Sequence, residues 1–200
     1  MLPRFESASQ TAGPFVHIGL VPERAGIAQK PIVSNNLCAH GTPQGASEIE
    51  VSGQVLDGSG APIYDAVVEL WQADHRGSYQ QSERSSFLGW GRSAIDQETA
   101  SFTFRTIKPG QVACLGSAAM APHLALWVVA RGINIGLHTR MYFPEDDALH
   151  QTDPVLNTIE IKKRRSTLIA SLRESNGSPL KIYQFNIVIQ GDMETVFFDI

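Results

Sequence analysis

Two hundred residues, 42% of them hydrophobic, suffice for one domain or one domain with an extended arm. A chain of this size buries roughly 70% of its unfolded surface, so its core needs neither disulfide nor structural metal. Sixteen Lys and Arg against twenty Asp and Glu give a net charge of −4, which excludes the basic footprint of a nucleic-acid-binding protein. Met1-Leu2-Pro3-Arg4-Phe5-Glu6 lacks the unbroken apolar stretch of a secretory signal. The longest uncharged apolar run, Leu124 to Ala130, falls far short of the ~20 residues of a membrane-spanning helix. Cys38 and Cys114 have no C-x-x-C partner and read as two reduced thiols in a cytoplasmic protein.

Residues 1–47 carry five prolines and five glycines among small polar residues, the composition of an extended arm. Gly13 to Val16 and Ile18 to Val21 are too apolar to stay solvated, so this arm needs a surface of its own domain or of a neighbour. At Glu48 the period changes. Ile49, Val51, Gly53 and Val55 alternate with polar residues, which predicts a half-buried strand ending in the Asp57-Gly58-Ser59-Gly60 turn. Ala66 to Ala73 and Ser101 to Ile107 predict two more strands, the latter stopped by Lys108-Pro109-Gly110. His123 to Arg131 and Asn134 to Phe143 form a pair joined through Gly132, and Tyr183, Phe185, Ile187 and Ile189 alternate again near the end. Thr195 to Ile200 is read as a last strand. Helical signal is confined to Asp153-Pro154, a capping residue followed by proline, and to Arg164 to Leu172. The expectation is an all-β fold, an antiparallel β-sandwich over residues 48–200 with short helical segments, preceded by the arm at 1–47.

Common catalytic patterns are absent: there is no G-x-x-x-x-G-K-[ST], no H-E-x-x-H and no G-x-S-x-G. Two histidines on one strand face need an i, i+2 spacing, and none of the six histidines has it; two residues after His123 stands Ala125. Taken alone, Tyr79 is a strand-end aromatic, Arg131 a solvated strand terminus and Lys162 to Arg165 a solvated helix face. Trp71, Trp90 and Trp127 are core or interface aromatics.

Gly53-Gln54-Val55, the stretch from Glu69-Leu70-Trp71-Gln72-Ala73 to Gly77-Ser78-Tyr79, Phe104 to Gly110, and Ala121-Pro122-His123 occur together in one order. In that order they resemble the intradiol ring-cleavage dioxygenases over nearly the whole chain. Ser9 to Leu20 and Ala130-Arg131-Gly132-Ile133-Asn134-Ile135 are similar to the alpha type of subunit found in the family's two-subunit members.

The resemblance implies a non-haem Fe(III) held by two tyrosines and two histidines. Tyr79 and His123 match one ligand of each kind. Gln111-Val112 stands where the second tyrosine is expected, Ala125 where the second histidine is, and Met120 where an arginine precedes the first histidine. One tyrosine and one histidine are too few to hold a hard ferric ion, which prefers anionic oxygen donors. Tyr79 and His123 are therefore expected to be vestigial, with no metal in this chain and the Fe(III) bound by an obligate partner beta chain. Thr11, Gly13 and Pro14 match the loop that lines the partner's substrate pocket, and Arg131 the arginine near the substrate carboxylate. The implied reaction is intradiol cleavage of a small aromatic, protocatechuate, by O2 to 3-carboxy-cis,cis-muconate. Two other readings stay open. One is a self-sufficient dioxygenase using Tyr79, His123 and either His138 or His17. The other is a non-catalytic transthyretin-like module that binds a small aromatic or serves assembly.

Overall fold

In the computed structural model, residues 11–79, 87–114, 116, 119–173 and 180–199 are described. Residues 1–10 of the arm, including Ser9 and Gln10, and Ile200 lie outside the described residues.

The two-residue repeat that begins at Glu48 builds β1 (Glu48–Gly53), with Ile49, Val51 and Gly53 turned inward. It is followed by β2 (Val55–Leu56), β3 (Val67–Trp71), β4 (Trp90–Ala94), β5 (Phe102–Ile107), and the short pair β6 (Val112–Ala113) and β7 (Ala119–Met120). Next come β8 (His123–Val129), β9 (Leu137–Tyr142), β10 (Ser171–Arg173), β11 (Lys181–Gln184) and β12 (Ile187–Val188). Two four-stranded sheets result, one ordered β10-β11-β1-β5 and the other β4-β3-β8-β9. Ile49, Val51, Phe102, Phe104 and Tyr183 from the first sheet meet Val68, Leu70, Leu124, Leu126, Val128 and Met141 from the second in one buried cluster. Each such side chain contributes about 1.5–3 kcal/mol on burial, which makes this interface the main source of stability.

The second sheet is antiparallel throughout, whereas β1 runs parallel to β11 and β2 parallel to β12. A parallel pair needs a long connection rather than a hairpin, and the chain between β1 and β11 supplies it. The approach there is tight: a Cβ on Gly53 would lie 1.7 Å from the Phe185 carbonyl oxygen, so only glycine fits.

Three local expectations shift. Asp153 does cap, accepting the Val155 and Leu156 N–H groups at 2.8 Å, but only a 3-10 turn at Leu156–Thr158 follows. The segment from Arg164 to Leu172 is split between a single helical turn at Lys162–Arg165, a 3-10 turn and β10, because Ala170 and Leu172 are drawn into backbone pairing with Tyr142 and β11. At the end of the chain, Thr195 to Phe198 is fastened by N–H groups of Thr195, Val196 and Phe198, yet contributes only one bridge, to His138.

Within the arm, Pro14 opens a seven-residue helix, α1 (Pro14–Leu20), at the position where its fixed φ suits a first turn. Seven residues do not hold a helix in water; tertiary packing does. Val16, Leu20 and Val21 pack on Val67, Val129 and Trp127 of the second sheet, and Arg92 Nη1 donates to the Leu20 carbonyl at 2.8 Å. Further on, Leu37 enters the main core and its N–H bonds the Arg105 carbonyl. No helix among the described residues is long and apolar enough to cross a membrane. Both cysteines are free thiols.

Candidate functional site

The face of the second sheet that points away from the core carries Val67, Glu69 and Trp71 on β3, with His123, Ala125, Trp127 and Val129 opposite them on β8. Its β9 row is His138, Arg140 and Tyr142. Helix α1 covers the Val67–Val129 end. At the other end Tyr142, Leu156 and Leu168 pack into a second buried cluster. Between these covers the face is open.

The four positions at which the resemblance implies iron ligands come out as follows. Tyr79 is 43% exposed, just past a tight turn in which Asp74 N–H bonds the Ser78 carbonyl and Asp74 Oδ1 accepts from the Arg76 and Ser78 N–H groups. That turn abuts the segment carrying Gln111: Gly77 has φ +81°, and a Cβ there would lie 1.7 Å from the Gln111 carbonyl oxygen. His123 is 2% exposed, its Nδ1 is 2.8 Å from the Ala121 carbonyl oxygen, and its ring sits 5.7 Å from that of Tyr142. Burial, reinforced by the Arg140 guanidinium, lowers the His123 pKa to about 4, so the ring is neutral. Ala125 offers no donor atom.

This donor set does not fit a ferric ion, which wants several anionic oxygen ligands converging on one point. His138 does not repair it. It stands opposite Trp127, four residues along β8 from His123, a separation of roughly 13 Å at ~3.3 Å per residue. His17 sits on α1, at the far end of the face. Among the described residues no three His, Cys, Asp or Glu side chains are grouped so as to hold a metal.

Around Ala125 the open face forms an apolar groove of about 620 Å³, walled by Trp71, Trp127, His138, Arg140 and Phe198. Trp71 stacks on Trp90 with centroids 5.4 Å apart. Arg140, which the sequence did not single out, donates to Met120 Sδ at 3.3 Å and to the Tyr142 hydroxyl at 3.5 Å. It thus brings a guanidinium beside residue 120 from a neighbouring strand. Met120 lies on β7, remote in the chain from β9, so only the folded structure reveals that proximity.

Thr11, Gly13, Pro14 and Arg131 are brought together. Ala12 N–H donates to the Ile133 carbonyl at 2.9 Å, Gly132 N–H returns a bond to the Ala12 carbonyl at 3.1 Å, and Thr11 Oγ1 donates to Asn134 Oδ1 at 2.7 Å. The arm is thereby paired to the turn that carries Arg131, and Gly132 makes that turn with φ +90°. Gly13 has an ordinary extended backbone with nothing within 4 Å of where a Cβ would stand, so no contact inside this chain requires glycine there. Beside the turn lies a pocket of about 630 Å³ lined by His17, Arg24, Tyr64, Asp65, Gln97 and Arg131, among others. Arg131 Nε donates to Asp65 Oδ2 at 2.8 Å. Asp65, Asn134 and Arg92 each acquire a role from a residue remote in the chain, so no local pattern marks it.

A family model described as Dioxygenase matches residues 22–191. The chain is 44% identical to the protocatechuate 3,4-dioxygenase alpha chain of Pseudomonas putida, covering 97% of this chain and 96% of that one. It is 32% identical to the protocatechuate 3,4-dioxygenase beta chain of Burkholderia cepacia, over 80% of this chain and 71% of that one. Among solved structures, hydroxyquinol 1,2-dioxygenase from Pseudomonas putida DLL-E4 superposes with a TM-score of 0.61 at 18% identity, covering 93% of this chain and 63% of that chain, which attests the shared fold. With its family-model match and its similarity to the alpha chain along almost the whole of that chain, the chain belongs to the intradiol ring-cleavage dioxygenase family.

Proposed function

We propose that this chain is the non-metallated alpha subunit of a protocatechuate 3,4-dioxygenase, which walls and polarises a substrate pocket whose Fe(III) is bound by an obligate beta chain. The observation that carries this reading is the backbone pairing of the arm with the Arg131 turn, which gathers Thr11, Gly13, Pro14 and Arg131 at one end of the outer face. Similarity to an alpha chain along nearly its full length supports it, as does the donor set that does not fit iron.

The partner's iron supplies the redox chemistry of ring cleavage by O2. In this chain Arg131 meets the ring carboxylate of protocatechuate through its terminal amino groups. Charge-assisted bonds of that kind contribute about 1.5–3 kcal/mol each. Gly13 lets the arm's backbone approach the ring, and Pro14 holds it stiff. Phe15, 78% exposed, presents an apolar surface suited to the partner. Water excluded by the arm no longer screens the carboxylate from the guanidinium.

The test begins with the chain alone. Incubated with iron, it is expected to show no visible tyrosinate-to-Fe(III) band and no protocatechuate-dependent oxygen uptake. Both are expected when the beta chain is added. A band in this chain alone overturns the reading. In the complex, Arg131→Ala should raise KM for protocatechuate by about 10- to 100-fold with kcat changed much less. An unchanged KM removes the carboxylate role.

A further inference from the structure

We infer that Asp65 is a positioning residue for Arg131, holding its guanidinium ready for a substrate carboxylate; this rests on the carboxylate role proposed for Arg131.

The placement follows from strand register. Val67 and Val129 are the last paired residues at this end of β3 and β8. Asp65 precedes Val67 by two residues and Arg131 follows Val129 by two. The two charged residues therefore sit in turns just past the same end of the paired strands, where their side chains meet. Asp65 starts from a fixed base, because Ala66 behind it is buried and its N–H bonds the Ile63 carbonyl. The Arg131 end is fixed by the arm through the two backbone bonds between Ala12 and the Gly132–Ile133 turn.

The geometry of the ion pair favours positioning over neutralisation. Asp65 Oδ2 takes the Nε–H of Arg131 at 2.8 Å, and neither terminal amino group of Arg131 has a partner among the described residues. The Arg131 side chain is 61% exposed, that of Asp65 only 19%. A guanidinium held through Nε keeps the edge formed by its two terminal amino groups, which suits a carboxylate bidentately. Holding it beforehand removes rotamer freedom that would otherwise be lost on binding. Arg24 and His17 line the same pocket, so Asp65 does not leave its floor acidic.

The experiment uses the complex of this chain with its beta chain. It compares wild type, Asp65→Asn, Asp65→Glu, Arg131→Ala and the Asp65→Asn/Arg131→Ala double variant. The probes are 3,4-dihydroxybenzoate and catechol, which lacks the carboxylate. Steady-state constants are measured together with dissociation constants from calorimetry without oxygen. Asp65→Asn is expected to raise KM and Kd for 3,4-dihydroxybenzoate about 5-fold, with kcat within about 2-fold and catechol binding unchanged. Asp65→Glu should restore most of the loss, and Asp65→Asn should add nothing in the Arg131→Ala background. Unchanged or tighter binding by Asp65→Asn, or equal weakening of both probes, overturns the positioning role. If Arg131→Ala itself binds 3,4-dihydroxybenzoate normally, the carboxylate reading beneath it fails instead. Thermal unfolding of Asp65→Asn checks that it is folded; should it be unstable, the comparison of Asp65→Glu with Arg131→Ala decides by the same criteria.

Discussion

Two regions of one sheet face differ in chemistry. The groove around Ala125 is mostly apolar, walled by Trp71 and Trp127 with His138 and Arg140 beside them, and His123 at the closed end of the face is buried and neutral. Several residues away along the same strands, the pocket at Arg131 is charged, polar and tied to the arm. The same antiparallel strands run beneath both, but the groove lies over the ladder itself whereas the Arg131 pocket is built from turns just past it and from the arm. A β-sandwich keeps its fold through inward residues such as Leu124, Leu126 and Val128, which leaves the outward residues between them free to change chemistry. An alanine at 125 offers no ligating atom and costs the fold nothing, while the turn beyond the strand carries the Arg131 guanidinium.

The sharpest way to break that contrast is to detach the arm from the face. Arg92 joins them: its Nε donates to Glu69 Oε1 at 2.7 Å and its Nη1 to the Leu20 carbonyl at 2.8 Å, both side chains being largely buried. Arg92→Ala leaves Glu69 without its partner and should cost about 3–4 kcal/mol in urea unfolding, with loss of carboxylate selectivity in the complex.

The next effect isolates the closed end of the face. Burial first, then the Arg140 guanidinium, lowers the His123 pKa from 6.5 to about 4, while the Ala121 carbonyl and Asp153 oppose the shift. The unfolded chain takes up the proton first as pH falls. Stability from this group is therefore complete above pH 6.5, declines by up to about 3 kcal/mol toward pH 4, and then levels off. His123→Asn should flatten that part of the profile, as denaturant midpoints measured between pH 7 and pH 4 would show.

Another pH effect lies lower. Burial alone would raise the Glu145 carboxyl, but hydrogen bonds from the Tyr183 hydroxyl and the Lys108 ammonium outweigh it and bring the pKa down to about 2. Its contribution is present above pH ~4.5 and lost as pH falls toward 2, so Glu145→Gln should differ from wild type least below that window. The smallest effect concerns the exposed Thr11. Thr11→Val removes the bond to Asn134 and should change unfolding by under about 1 kcal/mol, with a rise in KM of about 2- to 3-fold.

Much of this was legible in the residues themselves. Alternation along Ile49–Val55 and Tyr183–Ile187 marks inward side chains wherever a strand has one wet face, and these residues are buried as expected. That Ala125 offers no ligating atom and Gln111 no anionic oxygen follows from side-chain identity and needed no fold. Helix α1 was not legible, since its seven residues carry little helical signal and exist through packing on Val67 and Val129. Nor was the parallel β1–β11 pairing, because direction depends on how a distant segment returns.

By itself the sequence determined the strand periodicity, the acidic balance and which donor atoms are available, because these are properties of residues and their near neighbours. The tertiary structure alone decided that Asp65 faces Arg131, that the arm pairs with the Gly132 turn and that Arg140 reaches Met120. Those contacts depend on strand register between segments far apart in the chain, and register is settled only when both sheets pack on a common core.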